Sequence, residues 1–226
     1  MPLSSPVLIF DVNETLLDMQ AVKSAIAAAL DGNDTLVPVW FSTLLHHSLV
    51  EMARGKFNAF SEIGAAALVM VAASEGKTIS LEQARDIITT PMSSLPPHDD
   101  VITGLSELRN RGYTLVALSN SSEEGLHQQL ANANIAHLFH AILSVETIRT
   151  YKPFPEVYKW ALAQTNTQAK EAMMIAAHGW DLAGAAACGM KTAFIKRQGK
   201  VPYPLAEAPD FSVSGLRELT AILDKL

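Results

Sequence analysis

Residues 7–15 read Val7-Leu8-Ile9-Phe10-Asp11-Val12-Asn13-Glu14-Thr15. The first four are apolar, and a short run without a polar residue is typical of a strand that is covered on both faces of a parallel sheet. The run ends at Asp11, so a carboxylate directly follows the predicted strand. Open α/β sheets bind ligands at the carboxyl ends of their strands, which makes Asp11 a candidate for chemistry.

The rest of the chain has two parts with different patterns. Only helices are predicted in the first part, over residues 20–30, 39–53, 61–74 and 81–89, the last of them after a capping box at Ser80. In the second part, helices alternate with short apolar strands at residues 114–118, 141–145, 172–176 and 192–195. This alternation predicts an α/β fold, a doubly wound parallel sheet with an inserted all-helical cap. We expect residues 1–15 and 98–226 to form the core domain and residues 16–97 the cap domain.

Composition and charge narrow the class of protein. Of the 226 residues 49% are hydrophobic, enough for a sizeable core, and 17 basic against 23 acidic residues leave a net charge of -6. Since Lys and Arg form no basic cluster, we expect neither nucleic acid nor a membrane surface as a partner. A single cysteine, Cys188, is typical of the reducing cytoplasm. We also expect no secretory signal and no membrane span, because the N-terminus lacks a basic start and the most apolar window, residues 63–73, is too short.

Polar residues also follow the later strands of the predicted sheet. Ser119 comes directly after the second strand, and Lys152 lies in the loop after the third. Asp181 follows the fourth. Because the carboxyl ends of parallel strands meet at one edge of a sheet, we expect two carboxylates, a hydroxyl and an ammonium in one crevice.

These residues form a pattern that resembles a known family. The segments similar to the four motifs of the haloacid dehalogenase superfamily are Asp11-Val12-Asn13-Glu14-Thr15, Ser119-Asn120, Lys152-Pro153 and Trp180-Asp181. Those that resemble the L-2-haloacid dehalogenase (type II) branch are Leu143-Ser144-Val145, Tyr151-Lys152-Pro153, Val157-Tyr158 and Gly184-Ala185. The resemblance covers the whole chain and implies a Rossmann-like core, a hydrolase that needs no cofactor, and a homodimer.

The resemblance implies that Asp11 is a nucleophile. It would displace halide from the α-carbon of a small 2-haloalkanoic acid, and water activated near Asp181 would hydrolyse the aspartyl ester to a 2-hydroxy acid. Lys152 is expected to keep Asp11 ionised, since an opposite charge within about 4–6 Å lowers a carboxyl pKa by about 1–3 units. Ser119, which would hold the substrate carboxylate, completes the predicted catalytic set.

Further candidates surround this set. The predicted substrate-binding residues are Val12, Asn13, Thr15, Phe41, Asn120, Tyr158, His178 and Trp180. Backbone N–H groups near Asn13 are expected to bind the substrate carboxylate, Asn120 and Tyr158 to orient Lys152 and its partners, and Phe41 to line an apolar wall. For His178, a structural hydrogen bond, water activation and anion binding all stay open.

Two other functions are considered. A magnesium-dependent phosphatase of a small phosphorylated metabolite usually has a second Asp two residues after its nucleophile, where this chain has Asn13, which carries no proton between groups at neutral pH. Its Mg²⁺ would also need several oxygen ligands, and Asp181 is the one carboxylate in its loop, so we expect no metal site unless the protein is a phosphatase. The other alternative is a binding module that has lost turnover.

A missing arginine is the main support for the binding module. Type II dehalogenases usually carry an Arg after a Trp on the first long cap helix, where it binds the carboxylate or receives the halide. Here Phe41 follows Trp40. A departing halide needs donors or a cation, which a phenyl ring does not supply. The candidates for a replacement are His46, His47, Arg54 and Lys56.

Overall fold

The computed structural model describes residues 7–225, so residues 1–6 of the predicted core segment and Leu226 lie outside the described part. Its six strands are β1 Val7–Phe10, β2 Thr114–Ser119, β3 Ala141–Ser144, β4 Ala172–Ala176, β5 Lys191–Ile195 and β6 Phe211–Val213. They form one parallel sheet in the order β3-β2-β1-β4-β5-β6. This order extends in both directions from β1, which confirms the predicted doubly wound α/β fold.

The central strands are buried on both faces, as their apolar runs predict. All four residues of β1 and all five of β4 are buried. In the register of the sheet, Ile9 pairs with Val116 of β2 on one side and with Met174 of β4 on the other. The carboxyl ends of β1, β2 and β4 therefore meet at one edge, and this edge carries the candidate site.

Nine helices accompany the sheet in the described part of the chain. They are α1 Gln20–Ala29, α2 Leu36–Ala53, α3 Phe60–Ser74, α4 Leu81–Met92, α5 Val101–Asn110, α6 Glu123–Asn132, α7 Pro155–Gln164, α8 Gly179–Ala187 and α9 Leu216–Leu223. The first four lie between β1 and β2 and pack largely on one another. The boundaries of a separate cap domain stay a prediction. No helix within residues 7–225 combines the length and the hydropathy that crossing a membrane requires.

The helix α4 begins at the predicted capping box. Ser80 Oγ accepts the backbone N–H of Gln83 at 3.1 Å, and Gln83 Oε1 accepts the backbone N–H of Ser80 at 2.9 Å. The helix continues past its predicted end at residue 89 and includes Pro91. Pro91 has no backbone N–H to donate to the preceding turn, and the helix ends one residue later, at Met92.

The sequence pattern does not predict the last two elements, β6 and α9. With three residues, β6 is too short to show a strand pattern, and it forms by pairing with β5. An eight-residue helix such as α9 is not stable alone in water, and it depends on packing its buried face, which includes Leu216 and Leu219, against α5.

A substitution at Gly104 tests the packing of α5 on α9. A Cβ at this position would lie 2.4 Å from Leu216 Cβ, so Gly104→Ala forces the two helices apart. We expect the free energy of unfolding, measured by urea denaturation, to fall by about 1–3 kcal/mol. Thr103→Ala, on the exposed side of the same helix, is the matched control and is expected to leave stability unchanged or slightly higher. Equal stability of Gly104→Ala and wild type would contradict the packing.

Candidate active site

A buried ammonium bridges two carboxylates at the carboxyl end of the sheet. Lys152 Nζ lies 2.7 Å from Asp11 Oδ1 and 2.7 Å from Asp181 Oδ2. It also donates to the carbonyl oxygen of Leu118 at 3.1 Å. Lys152 and Asp181 are only 1% and 0% exposed, so solvent screens these charges little. The three predicted charged groups are thus in direct contact.

Separate elements position the members of this cluster. Asp11 is the first residue after β1, and Asn120, just after β2, accepts the backbone N–H of Lys152 on its Oδ1 at 2.9 Å. Asp181 lies in the first turn of α8, where the helix dipole favours a carboxylate. The hydroxyl of Tyr158, on α7, donates to Asp181 Oδ1 at 2.6 Å. Asn120 therefore contacts the backbone of Lys152, whereas Tyr158 contacts Asp181, the carboxylate that pairs with Lys152.

The carboxyl groups of Asp11 and Asp181 differ in acidity. Burial alone would raise the pKa of Asp11, but the positive charges of Lys152 and His178 outweigh it and hold the pKa well below its usual value. Burial and the nearby Asp11 raise the pKa of Asp181 in spite of Lys152. Burial also opposes the charge of Lys152, yet the two carboxylates raise its pKa. Asp11 is therefore the carboxylate that stays ionised over the wider pH range.

The second oxygen of Asp11 contacts a different set of groups. Asp11 Oδ2 accepts the hydroxyl of Thr15 at 2.6 Å and lies 3.0 Å from His178 Nδ1. The other ring nitrogen, His178 Nε2, lies 2.9 Å from Glu14 Oε2. Burial opposes a charge on the imidazole, but the two carboxylates raise the pKa of His178. His178 thus connects Asp11 to Glu14.

Glu14 is the buried centre of a second charged cluster. Lys23 Nζ lies 2.7 Å from its Oε1, and Lys200 Nζ lies 2.5 Å from its Oε2. Against the effect of burial, His178 and Lys200 hold the pKa of Glu14 well below its usual value. In the sequence, Glu14 stands out only as part of a motif, and neither lysine is predicted to lie at the site. Lys200 is 186 residues beyond Glu14, and a salt bridge over such a separation leaves no local pattern. Lys23 is nearby in the chain, but its position on a predicted helix gave no sign that it faces Glu14.

A cavity of about 820 Å³ opens at this site, a volume typical of small-molecule sites. The predicted residues that line it are Asp11, Asn13, Phe41, Ser119, Asn120, Lys152, His178 and Trp180. The predicted residues Val12, Thr15, Tyr158 and Asp181 are fully buried and lie outside its lining. Two of these, Thr15 and Asp181, reach the cavity through hydrogen bonds to Asp11 and Lys152.

Phe41, from α2, forms part of the cavity wall. Its ring stacks on the imidazole of His178 with the ring centroids 5.7 Å apart, and Lys200 Nζ lies 5.3 Å from the phenyl centroid. An aromatic face attracts a nearby cation, so Phe41 contributes to holding both groups in place.

The cations at the cavity are not those that the sequence suggested for the missing arginine. Within the described residues, the cavity lining contains none of His46, His47, Arg54 and Lys56. Arg54, for example, pairs with Glu51 on the exposed side of α2 at 2.7 Å. The lysines that line the cavity are instead Lys23, Lys152 and Lys200.

Three buried polar atoms of cavity-lining residues have no hydrogen-bond partner within residues 7–225, and they are Asn13 Oδ1, Asn120 Nδ2 and Trp180 Nε1. Leaving a buried polar atom unpaired costs about 1–3 kcal/mol, so these atoms are candidates for ligand contacts. Two of them are N–H donors, which suits an anionic ligand. No group of three or more His, Cys, Asp or Glu side chains in the same range is arranged to hold a metal ion.

A sequence model of the haloacid dehalogenase-like hydrolases matches residues 8–195. The chain belongs to this family. Haloacetate dehalogenase H-2 of Moraxella sp. (strain B) is 29% identical to this hydrolase over 205 residues, which cover 90% of the chain and 91% of that relative. (S)-2-haloacid dehalogenase 1 of Pseudomonas sp. (strain CBS-3) is 28% identical over 220 residues, 96% of either protein. The predicted family is therefore confirmed, and these relatives belong to the predicted branch.

Solved structures share the fold of this haloacid dehalogenase-like hydrolase. The L-2-haloacid dehalogenase from Xanthobacter autotrophicus with chloropropionic acid covalently bound is 24% identical and has a TM-score of 0.88. The similarity covers 98% of this chain and 99% of the other. The sheet and the helices that surround the cavity are thus arranged in the same way in both proteins.

Removal of the bridging ammonium tests the charge balance of the site. Lys152→Met leaves Asp181 buried beside Asp11 without its cation, and we expect about 3–5 kcal/mol of stability to be lost at pH 7. The pKa of Asp181 in the folded variant then rises further above its unfolded value of about 3.9. Stability is lost as pH rises through that range, so urea denaturation should show a smaller deficit at pH 5 than at pH 7.

Lys170→Met, which removes an exposed ammonium, is the matched control and is expected to change stability little at either pH. A deficit of Lys152→Met that is equal at pH 5 and pH 7 would contradict this account of the buried charges.

Proposed function

We propose that the chain is a 2-haloacid dehalogenase, which hydrolyses the carbon–halogen bond of a small 2-haloalkanoic acid to give a 2-hydroxy acid. The observation that carries this proposal is the carboxylate of Asp11, which lines the cavity and is held anionic by Lys152 and His178. A buried anionic oxygen at a small-molecule cavity is suited to attack at carbon. The dehalogenase names of the two relatives support the same reaction.

In the first step of the proposed reaction, one oxygen of Asp11 attacks the α-carbon of the substrate. The carbon–oxygen bond forms while the carbon–halogen bond breaks with inversion, and the halide leaves with the bonding electron pair. Asp11 becomes an ester. The depressed pKa of Asp11 supports this step, because the attacking oxygen stays unprotonated at neutral pH.

Unpaired donors are proposed to bind the anions of this step. Asn120 Nδ2 and Trp180 Nε1 are placed to donate to the substrate carboxylate or to the departing halide. Lys23 and Lys200 add positive charge to the same cavity. The hydroxyl oxygen of Ser119, which accepts the backbone N–H two residues later at 3.1 Å, stays a proposed contact of the carboxylate, together with backbone N–H groups near Asn13.

In the second step, water attacks Cγ of the Asp11 ester. Lys152 Nζ, which is 2.7 Å from Asp11 Oδ1, is placed to stabilise the negative charge of the tetrahedral intermediate. Collapse of the intermediate breaks the bond between Cγ and the product oxygen, which takes up one proton of the water, and the other proton is released. The 2-hydroxy acid leaves, and the carboxyl group of Asp11 is restored.

Neither alternative function is favoured. Asn13 donates to Ser121 Oγ at 3.0 Å and has no titratable proton for phosphate chemistry. Both oxygens of Asp181 accept hydrogen bonds, from Lys152 and Tyr158, and are poorly placed as magnesium ligands. A binding module has no need of a buried nucleophile beside an ammonium. We therefore propose a metal-independent reaction on a small carboxylic acid, and a cytoplasmic homodimer stays a prediction.

Halide release tests the proposed function directly. Purified protein is incubated with chloroacetate, 2-chloropropionate, 2-chlorobutyrate and fluoroacetate, and free halide is measured with and without EDTA. We expect release from at least one acid, unchanged by EDTA, and a loss of at least about 1,000-fold in Asp11→Asn. Asp86→Asn, on the exposed face of α4, is the matched control with wild-type activity. Wild-type protein that releases no halide from any of these acids would refute the dehalogenase proposal.

Isotope labelling tests the ester intermediate. In a single turnover in ¹⁸O-labelled water, the label is expected in the peptide that contains Asp11, because water attacks the carboxyl carbon of the enzyme. Mass spectrometry of that peptide and of the 2-hydroxy acid locates the label. Label in the product alone would mean that water attacks the substrate directly, against the proposed route.

A further inference from the structure

His178 lies between two carboxylates, and this placement defines its protonation. Its Nδ1 is 3.0 Å from Asp11 Oδ2, and its Nε2 is 2.9 Å from Glu14 Oε2. Ionised carboxylates only accept hydrogen bonds, whereas a neutral imidazole has one N–H and therefore satisfies one of them. With both carboxylates ionised, His178 carries both protons in the resting protein, in agreement with its raised pKa.

Formation of the ester in the first half of the proposed reaction removes the negative charge on one side of His178 only. When Asp11 becomes an ester, the negative charge next to His178 Nδ1 disappears. Glu14 remains an anion, because Lys23 and Lys200 still pair with it. An opposite charge at contact distance is worth about 1–3 pKa units, so loss of the Asp11 charge returns the pKa of His178 toward its ordinary value of about 6.5. The imidazole can then release its Nδ1 proton while Nε2–H stays bonded to Glu14.

We propose that His178 is the general base that takes a proton from the water that hydrolyses the Asp11 ester. Glu14 is the residue that positions the imidazole. This inference rests on the proposed dehalogenase function and adds the group that takes the proton of water. Glu14 accepts a hydrogen bond from His178 Nε2–H and so orients the imidazole, as a carboxylate commonly does for a catalytic base. The dyad lines the cavity, next to the atom that water must attack.

Asp181 is less suited to be this base. Its Oδ2 accepts from Lys152 and its Oδ1 from Tyr158, and the residue is fully buried outside the cavity lining. His178, in contrast, lines the cavity that water must enter to reach Asp11. The imidazole contacts two aromatic rings, with Phe41 stacked at 5.7 Å and Trp180 tilted at 5.2 Å between ring centroids.

Protons and electrons balance over the two half-reactions. Attack by Asp11 forms the ester and expels halide, and His178 then releases its Nδ1 proton to solvent. In the second half, water forms a bond to Asp11 Cγ and gives a proton to Nδ1. As the intermediate collapses, Nδ1–H protonates the departing alkoxide, and the proton left on the Asp11 carboxyl returns to the imidazole. The sum is one halide, one proton and one 2-hydroxy acid for each water consumed.

The charges around the imidazole determine the pH dependence of ester hydrolysis. They come from the loop after β1, from α1 and from the loops after β3 and β5, and the groups are Asp11, Glu14, Lys23, Lys152 and Lys200. From α2 and α8 the ring meets Phe41 and Trp180, which do not titrate in this range. The rate of ester hydrolysis is therefore expected to rise with pH as His178 loses its proton and then to level off.

The test separates the two half-reactions by rapid quenching with the 2-halo acid that the wild-type protein turns over best. In His178→Asn we expect one equivalent of halide per active site in a burst, accumulation of the Asp11 ester in the mass of the intact protein, and steady-state turnover lowered by about 100- to 10,000-fold. His127→Asn, on the exposed side of α6, is the matched control with wild-type turnover and no ester.

A second variant keeps the test decisive if His178→Asn does not fold. Glu14→Gln removes the anion that raises the pKa of His178, so the pH midpoint of single-turnover ester hydrolysis is expected to move to lower pH with a lower plateau. A merely structural role of Glu14 would lower the rate without moving the midpoint.

Specific results would refute the proposal that His178 and Glu14 act together as a catalytic dyad. Ester hydrolysis at the wild-type rate in His178→Asn, or equal losses of burst and turnover without ester accumulation, would show that His178 is not the base. An unmoved midpoint in Glu14→Gln would remove Glu14 from the dyad. Each of these is observed against an active wild-type protein, whereas failure of the proposed function is seen as wild-type protein that releases no halide at all.

Discussion

The ammonium of Lys152 is the group on which the site depends. Two carboxylates and a backbone carbonyl converge on it, and the whole cluster is removed from water. Burying charged groups is costly unless each is paired at close range, so this arrangement requires that the ends of β1, β2 and β4 be fixed relative to one another. The parallel order of these strands supplies that constraint, because their carboxyl ends share one edge.

The two carboxylate oxygens of Asp11 contact different groups and so serve two functions. Oδ1 faces Lys152, which keeps the carboxylate anionic, and Oδ2 faces Thr15 and His178. Phe41 stands where the type II pattern has an arginine, and its ring stacks on that of His178. Positive charge is therefore supplied by α1 and by loops at the edge of the sheet, whereas α2 supplies an apolar wall.

Helices α1–α4 are attached to the sheet close to the reacting groups. The hydroxyl of Tyr151, the neighbour of Lys152, donates to the carbonyl oxygen of Asn58 at 2.6 Å, and it accepts the backbone N–H of Asn58 at 3.0 Å. Lys23 of α1 pairs with Glu14. These contacts hold the walls of the cavity against its floor.

The sequence by itself determined the class of fold and the positions of the reacting groups. An apolar run such as residues 7–10 is stable only when covered on both faces, and the polar residue that ends each run must lie at the edge of the sheet. Only the tertiary structure decided that β6 and α9 form, and that His178, Glu14 and Lys200 meet although Lys200 is 186 residues beyond Glu14. The physical reason is that a local pattern shows how a segment is covered, whereas an ion pair depends on which distant segments the fold brings together.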